Sequence, residues 1–437
     1  MDENLNPSAL TMVEICAGAG GQSLGLHRAG FRHTLAVELD LDAAATLKRN
    51  LTRLATAENQ PEPVVVVGDV ADEAVWRPAD HQGVSLLAGG VPCPPFSIAG
   101  KQLGSSDERD LFAWAVEAAG KMRPDAVLLE NVRGLSMPRF AGYRQAVLDR
   151  FAELGYRADW RLLEAKDFGV PQLRPRFILV ALREEFAPYF RWPEPSPVVE
   201  TVGDALETLM AANGWAGAAG WAKRANRVAP TVVGGSKKHG GPDLGPTRAK
   251  REWAKLGVDG LGVANDAPSA ETPCEFVPKL TNEMVARIQG WGKPGYEWDF
   301  GTSKGRKTAI YRQIGNAFPP PVAHAIGESI AAALRKEGEP ASDHGMGGRF
   351  HDEVYRAMRE HGDFVSVAGL RKALGGALPD LEIERRIDFI GRDFEIEIKT
   401  RGGRPSYRLG DWRAFRGQDD HHRHAAYAED KRRARIS

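Results

Sequence analysis

The stretch "MVEICAGAGG", residues 12–21, decides how this chain is read. Its first half is a short apolar run with β-branched members, and its second half is a glycine turn. "QSLGLHRAG" follows, whose Leu24, Leu26 and Ala29 suit a short helix ended by Gly30. A strand, a G-x-G-G turn (Gly18, Gly20, Gly21) and a helix put small residues where backbone must approach a ligand, in the crevice beyond the strand ends. A tight turn without a ligand would use the same glycines. The last glycine of the dinucleotide fingerprint G-x-G-x-x-G is missing and no Walker lysine follows, so a triphosphate site is not indicated.

Outward from this turn, strand and helix patterns alternate. "HTLAVELD" and "PVVVVGDV" read as strands ending in acids, with the helical "LDAAATLKRN" between them. "VSLLAGGVP" and "DAVLLENV" read as two more strands, separated by the helical "DLFAWAVEAAGKM". Near-continuous Val, Leu and Ile in such strands indicates a parallel sheet covered on both faces, so residues 10–189 are expected to form a doubly wound α/β domain. A carboxylate at the second strand end, Glu38, can bind the two hydroxyls of a ribose. One at the third, Asp69, can accept from an adenine amino group. Together they outline a nucleoside site.

Residues 190–308 are rich in Gly, Pro, Trp and basic side chains and read as loops on a small β-rich or irregular unit. "YRQIGNAFPPPVAHAIGESIAAALRK" supplies a Gly-Asn turn, a proline run and an amphipathic helix, and residues 309–336 are assigned as a return to the first domain. A polar linker, residues 337–347, precedes a C-terminal domain, residues 348–437.

The chain of 437 residues balances 58 Lys+Arg against 58 Asp+Glu, but unevenly. Residues 1–130 hold 10 basic and 18 acidic residues, leaving 48 and 40 for the rest; within 220–310 the count is 15 to 9. Loops such as "GGSKKHGG", "TRAKREWAK" and "SKGRK" can contact phosphates, although solvated charged faces have the same composition. No run approaches the length and apolarity of a membrane helix, and "MDENLNPSAL" lacks the regions of a signal peptide, so a cytoplasmic protein is expected. Three scattered cysteines, Cys16, Cys93 and Cys274, make neither a disulfide framework nor a structural zinc site.

Cys93 stands in "GGVPCPPFS", at the end of the fourth strand, on the same sheet edge as the nucleoside site. Pro92, Pro94 and Pro95 stiffen the loop and remove amide donors, a setting that a cysteine filling a core does not need. Glu130 and Asn131 end the fifth strand. "QLRPR" then presents Gln172, Arg174 and Arg176 at alternating positions, on one face if the segment is extended. An exposed edge strand is the alternative for such a triplet.

In this order and approximate spacing, "CAGAGG", "VELD", "GDV", "GGVPCPPFS", "ENVRG", "QLRPR" and "YRQIGNAFPPPVA" resemble the motifs of the DNA (cytosine-5) methyltransferases over residues 12–335. "RVAPTVVGG", residues 227–235, is similar to a less specific motif of that family. The resemblance implies a Rossmann-like fold dependent on S-adenosyl-L-methionine, with residues 190–308 recognising the target. It makes Cys93 the nucleophile on C6 of a flipped cytosine and puts Glu130 at N3. Arg176, with Arg174 acting through positioning, would hold the base oxygen and the loop. Cys16, Ala17, Gly18, Ala19, Gly20, Gly21, Glu38, Leu39, Asp69, Val70 and Asn316 would bind the cofactor, and no metal is implied. The partners implied are double-stranded DNA and a cognate restriction endonuclease encoded nearby, with the chain acting as a monomer. Two positions depart from the commonest pattern: Cys16 replaces phenylalanine, and Pro94 replaces glutamine.

An RNA cytosine-5 methyltransferase would use the same chemistry, but the sizeable basic recognition region disfavours it. A non-catalytic DNA-binding protein that keeps only the fold would have lost the thiol, the acid and the arginines, and all are present. A zinc deaminase needs a second cysteine near Cys93. A nicotinamide oxidoreductase explains neither "PC" nor "ENV". In the C-terminal domain, three short helices and a basic hairpin suggest a winged helix. The competing assignment is a nuclease-like set of Asp388, Glu397 and Lys399.

Overall fold

The computed structural model describes residues 10–92, 111–234, 242–301, 306–341, 352–391 and 394–412. Cys93, Pro94 and the loop after them lie outside the described residues, as does most of "GGSKKHGG".

The first domain runs β1 (Leu10–Ile15), α1 (Gly21–Arg28), β2 (Phe31–Glu38), α2 (Leu41–Ala57), β3 (Val64–Val67), β4 (Leu86–Gly89), α3 (Leu111–Met122), β5 (Ala126–Val132), α4 (Ala141–Glu153), β6 (Tyr156–Glu164) and β7 (Pro175–Arg183). The sheet order is β3-β2-β1-β4-β5-β7-β6. Strands β1 to β5 pair in parallel, while β7 runs antiparallel to both β5 and β6. The sheet is therefore mostly parallel, as expected, with one reversed strand that the sequence patterns do not announce.

Alternation explains why the central strands are apolar throughout. Val13, Ile15, Leu87, Val127 and Leu129 join a core with Phe112 of α3 and Tyr143 and Phe151 of α4. Their neighbours Met12, Leu86, Ala88, Ala126 and Leu128 face a second core containing Leu26 of α1. Successive side chains point to opposite faces, so a strand covered on both sides must be apolar at every position.

Helix α1 packs closely because it carries glycine where its neighbour's backbone arrives. A methyl group on Gly25 would stand 2.4 Å from the Pro320 carbonyl oxygen, and one on Gly327 2.7 Å from the Ala29 methyl. These contacts bring residues 320–334 back onto the sheet, where Val322, Ile326 and Ile330 complete the second core.

Residues 190–308 differ from the expectation of a β-rich unit. The described part holds helices α5 (Val202–Met210), α6 (Ala218–Arg224), α7 (Thr247–Lys255) and α8 (Asn282–Ile288), and its only β pairings among the described residues are isolated bridges. A capping box starts α5: Asp204 N–H donates to Thr201 Oγ1 (3.2 Å), and Thr201 N–H donates to Asp204 (3.0 Å). Trp215, Trp221, Trp253 and Trp291 fill the centre of this unit. Trp253 and Trp291 are therefore core residues.

Helices α9 (Lys307–Asn316) and α10 (Pro320–Leu334) follow. The Gly-Asn pair expected as a turn is instead the last part of α9. It closes on Gly234, where a methyl group would meet Asn316 Oδ1 at 2.3 Å.

The C-terminal unit runs α11 (Glu353–His361), β8 (Val365–Ser366), α12 (Val367–Ala373), α13 (Asp380–Ile390), β9 (Phe394–Arg401) and β10 (Arg404–Trp412). Its three-stranded sheet has the order β8-β10-β9, with both pairings antiparallel. The nuclease-like set is not assembled. Arg408 holds Glu397 with two hydrogen bonds of 2.7 and 2.8 Å, Lys399 lies 5.4 Å from the Phe364 ring, and no group of acids able to hold a metal occurs among the described residues.

Candidate active site

A cleft of about 490 Å³ opens at the carboxyl ends of β1, β2, β4 and β5. Cys16, Ala17, Gly18, Ala19, Gly21, Glu38, Glu130 and Asn316, all singled out from the sequence, line it together. The glycine turn is shaped by left-handed backbone: φ is +58° at Gly18 and +96° at Gly20, and Cys16 shares that region at +50°. A side chain on Gly18 would meet nothing within 4 Å, whereas one on Gly20 would stand 2.3 Å from the Trp298 ring. Trp298 Nε1 donates to the Ala19 carbonyl (2.7 Å), so the unit of residues 190–308 buttresses the outside of the turn. The inside is left open.

Glu38 closes the turn from the opposite side. Its Oε2 accepts from Gly18 N–H and its Oε1 from Asp40 N–H, both at 2.7 Å. Each carboxylate oxygen keeps a further lone pair for a ligand. Burial raises the pKa of this carboxyl, against the lowering effect of the amides of Asp40 and Gly18.

Several expected residues surround the cleft without lining it. Leu39 is 65% exposed and points away; its neighbour Asp40 lines the cleft and caps α2 by accepting from Asp42 and Ala43 N–H. Gly68 N–H donates to the Glu38 carbonyl (3.0 Å), which sets Asp69 beside the end of β2. Asp69 accepts from Ala71 N–H (2.9 Å), and Val70 is buried in the first core.

Glu130 and Arg176 meet through the sheet register. Arg176 pairs with Val132, two residues beyond Glu130, so the two side chains are diagonal neighbours on one face. Arg176 Nε lies 2.5 Å from Glu130 Oε1, an ion pair whose angle falls short of a hydrogen bond. Burial lowers the Arg176 pKa and Glu130 opposes that shift, yet a guanidinium stays charged. Asn131 Nδ2 donates to the Val91 carbonyl (3.2 Å), two residues before Cys93. The strand end that carries the acid therefore also anchors the start of the cysteine loop.

Arg174 does not line the cleft. It is fully buried, donating to the carbonyls of Val232 (2.6 Å), Gly315 (2.8 Å) and Ala317 (2.9 Å). Gln172, also buried, accepts from Val232 N–H (2.7 Å) and donates to Gln289 Oε1 (2.9 Å). The triplet is thus internal, not an exposed edge. Its first two members bind the "TVVGG" segment and α9, and only the third reaches the acid.

The cleft also uncovers polar side chains that the patterns did not single out. Glu14 is fully buried within β1; its Oε2 accepts from Ser23 (2.6 Å) and lies 2.7 Å from His33 Nε2, while Oε1 has no partner. Gln22 and Gln313 are buried with neither amide atom bonded, and all three residues line the cleft. Buried polar atoms are almost always satisfied, so these mark where a ligand's polar groups belong. An acid inside an otherwise apolar strand was the signal for Glu14.

The model of the C-5 cytosine-specific DNA methylases matches residues 10–332. The chain is a C-5 cytosine-specific DNA methylase. The methylase is 60% identical over 429 residues to the Type II methyltransferase M.NaeI of Lentzea aerocolonigenes, covering 98% of this chain and all of that one. It is 46% identical over 331 residues to the Type II methyltransferase M.NgoMIV of Neisseria gonorrhoeae, covering 75% of this chain and 99% of that one. A crystal structure of a Spodoptera frugiperda DNMT2 mutant covers 74% of the methylase with a TM-score of 0.50 at 17% identity, a likeness of fold alone. The methylase is thus a DNA cytosine-5 methyltransferase of the restriction-modification type. None of its described helices is long and apolar enough to cross a membrane.

Proposed function

We propose that the methylase binds S-adenosyl-L-methionine in this cleft and modifies a cytosine turned out of double-stranded DNA, with Cys93 as the nucleophile. The observation that carries this reading is the buried Glu130–Arg176 pair at the wall of a cleft with the shape and polar lining of a nucleoside amino acid site. Glu38 suits the ribose hydroxyls. Glu14, Gln22 and Gln313 suit the ammonium and carboxylate of the amino acid end. When bound, the cofactor supplies a methyl group activated on a sulfonium.

The residues of the chain make the base able to accept it. C5 of cytosine is too electron-poor to react directly, so the Cys93 thiolate adds to C6 and its electron pair raises the electron density at C5. Glu130, protonated when the base is bound, gives its proton to N3 and offsets the charge that develops, and Arg176 orients Glu130 and the base oxygen. After transfer, C5 gives its proton to water, N3 returns its proton to Glu130 and the thiolate leaves, which restores the aromatic ring. The ring face is closed inside a duplex, so the base must be extruded, at roughly a few kcal/mol. A cognate endonuclease as partner is in keeping with the Type II methyltransferases that the chain resembles; action as a monomer and a place in the cytoplasm beside the DNA belong to the same proposal.

Incubation with methyl-labelled cofactor, genomic DNA and transfer RNA in separate reactions tests this function. We expect 5-methylcytosine in DNA at one short sequence; label in transfer RNA alone would overturn it.

Cofactor binding should carry the titration of Glu38. Its raised pKa means that the ionised, accepting form is lost as pH falls, beginning at higher pH than for an ordinary carboxyl. Calorimetry with S-adenosylhomocysteine should show affinity weakening through that range. In Glu38→Gln this step should vanish, with affinity lower by about tenfold at neutral pH, as expected for losing hydrogen bonds to a charged acceptor. An unchanged pH profile would count against the assignment.

A further inference from the structure

The family match ends at residue 332, so the C-terminal unit of residues 352–412 takes no part in the chemistry above. We propose that it is a second DNA contact working through the tip of the β9–β10 hairpin, which holds phosphates flanking the target, and not through α13 as a reader of the groove. The inference takes duplex DNA as the substrate from the reading above.

Charge separates these two surfaces. The exposed side of α13 carries Asp380, Glu384, Arg385 and Asp388, three acids to one base, which a phosphate-lined groove would repel. The hairpin has the opposite character. Lys399, Arg401 and Arg404 cluster at its tip, and no acid lies between residues 398 and 407. Lower down, Glu397 neutralises Arg408. The backbone positions 401 and 404 pair in register across the turn, so a basic residue stands at each end of it. Among the described residues no carboxylate pairs with Lys399 or Arg404. Their charge is left for an anionic partner.

The tip also stands clear of the protein. Gly402 and Gly403 have φ of +56° and +76°, the two left-handed residues of a tight hairpin turn, and a side chain on either would meet nothing within 4 Å. Strand β8 supports β10 only at Ser406 and Tyr407, so the last part of the hairpin projects beyond the three-stranded sheet.

The unit is fixed next to the working edge of the methylase. From Glu130 and Asn131 the chain passes through short turns at Arg133–Ser136 and Pro138–Phe140 into α4. Helix α13 packs on α4 and on the second of those turns. Ala146 of α4 lies in one core with Val354, Met358 and Ile383. Tyr355 donates to Asp149 Oδ2 (2.7 Å), and Arg359 forms an ion pair with the same carboxylate. Buried Arg144 donates to the carbonyls of Leu135 (2.7 Å) and Met137 (2.8 Å), holding the connecting segment in place.

The test uses the full-length protein and a variant with Lys399→Gln, Arg401→Gln and Arg404→Gln, whose melting curve checks that the fold is kept. Duplex binding, measured across a salt series, should weaken about tenfold at low salt. The slope of log affinity against log salt should flatten by about 2 to 3, since each lost phosphate contact contributes roughly 0.9. Turnover at saturating DNA and the sequence methylated should stay as in the parent, with KM for DNA raised. Unchanged affinity and slope would overturn the proposal. So would a change of base preference in Arg385→Gln, which would make α13 the reader. Failure of the functional reading would look different: the parent itself would leave DNA unmethylated, whereas the hairpin effect is read from binding alone.

Discussion

Cys93→Ala is expected to abolish methyl transfer, by on the order of 10⁶-fold, the scale on which an enzyme loses activity when its nucleophile is removed. Binding of S-adenosylhomocysteine should survive, because the residues assigned to the cofactor lie in the β1–α1 turn, at or just after the ends of β2 and β3, and on α9. The specificity of the prediction comes from the other two thiols. Cys16 sits in the wall of the cleft with φ of +50°, where it shapes the turn, and Cys274 is exposed. Cys274→Ser should therefore be as active as the parent. A free thiol is largely protonated at neutral pH, and a neighbouring cation would favour the thiolate. Of the two arginines of "QLRPR", Arg174 is committed to three carbonyls and Arg176 to Glu130. Arg176 is the one at the acid, so Arg176→Gln should lower the rate more than it lowers cofactor affinity.

Arg174→Met should cost about 3–5 kcal/mol of stability, the range for removing one member of a buried charged network. The reason is geometric. One planar fork ties the residue before β7 to Val232 of the unit of residues 190–308 and to Gly315 and Ala317 at the α9–α10 junction. Without it three buried carbonyls lose a donor, and no water can replace a fork packed at 2% exposure. Burial, and then the nearby Arg176, pull the Arg174 pKa down, opposed by Glu130, yet the guanidinium stays charged and its charge strengthens the three hydrogen bonds. Arg174→Lys should rescue little, because an ammonium cannot reproduce the fork. Urea denaturation measures the loss. Cofactor affinity should fall with it, since Asn316 and Phe318 line the cleft next to the junction. A variant as stable as the parent would contradict the positioning role.

Much of the architecture could be read before any coordinates. The glycine turn, the five parallel strands and the acid at the end of β2 follow from apolar runs punctuated by Gly and carboxylates, because a strand buried on both faces has no other way to be written. The tail was equally legible: "RGG" flanked by alternating residues forms the β9–β10 hairpin. Other parts were not. Strand β6, "YRADWRLLE", mixes buried and half-exposed positions without strict alternation, so no period of two marks it. The helices within residues 190–308 are seven to nine residues long and set among Gly and Pro, too short for their period to stand out. Their order comes from tryptophans packing across the unit. For the site, motif order identified Glu130 and Arg176, but only strand register shows that they touch. Gln22 and Gln313 could not be chosen in advance, because their importance lies in lacking partners, and a linear pattern does not report that; Glu14 did carry a signal, as an acid inside an apolar strand.

The most direct test of the account is to trap the covalent adduct. In a duplex substituted throughout with 5-fluorocytosine, C5 carries no proton to lose after methyl transfer, so the bond between sulfur and C6 should persist. With S-adenosyl-L-methionine present, the parent protein should form a complex with this DNA that survives denaturation, and the modified peptide should contain Cys93. Transfer of methyl groups to ordinary DNA with no such complex, or with the adduct on another residue, would contradict the mechanism.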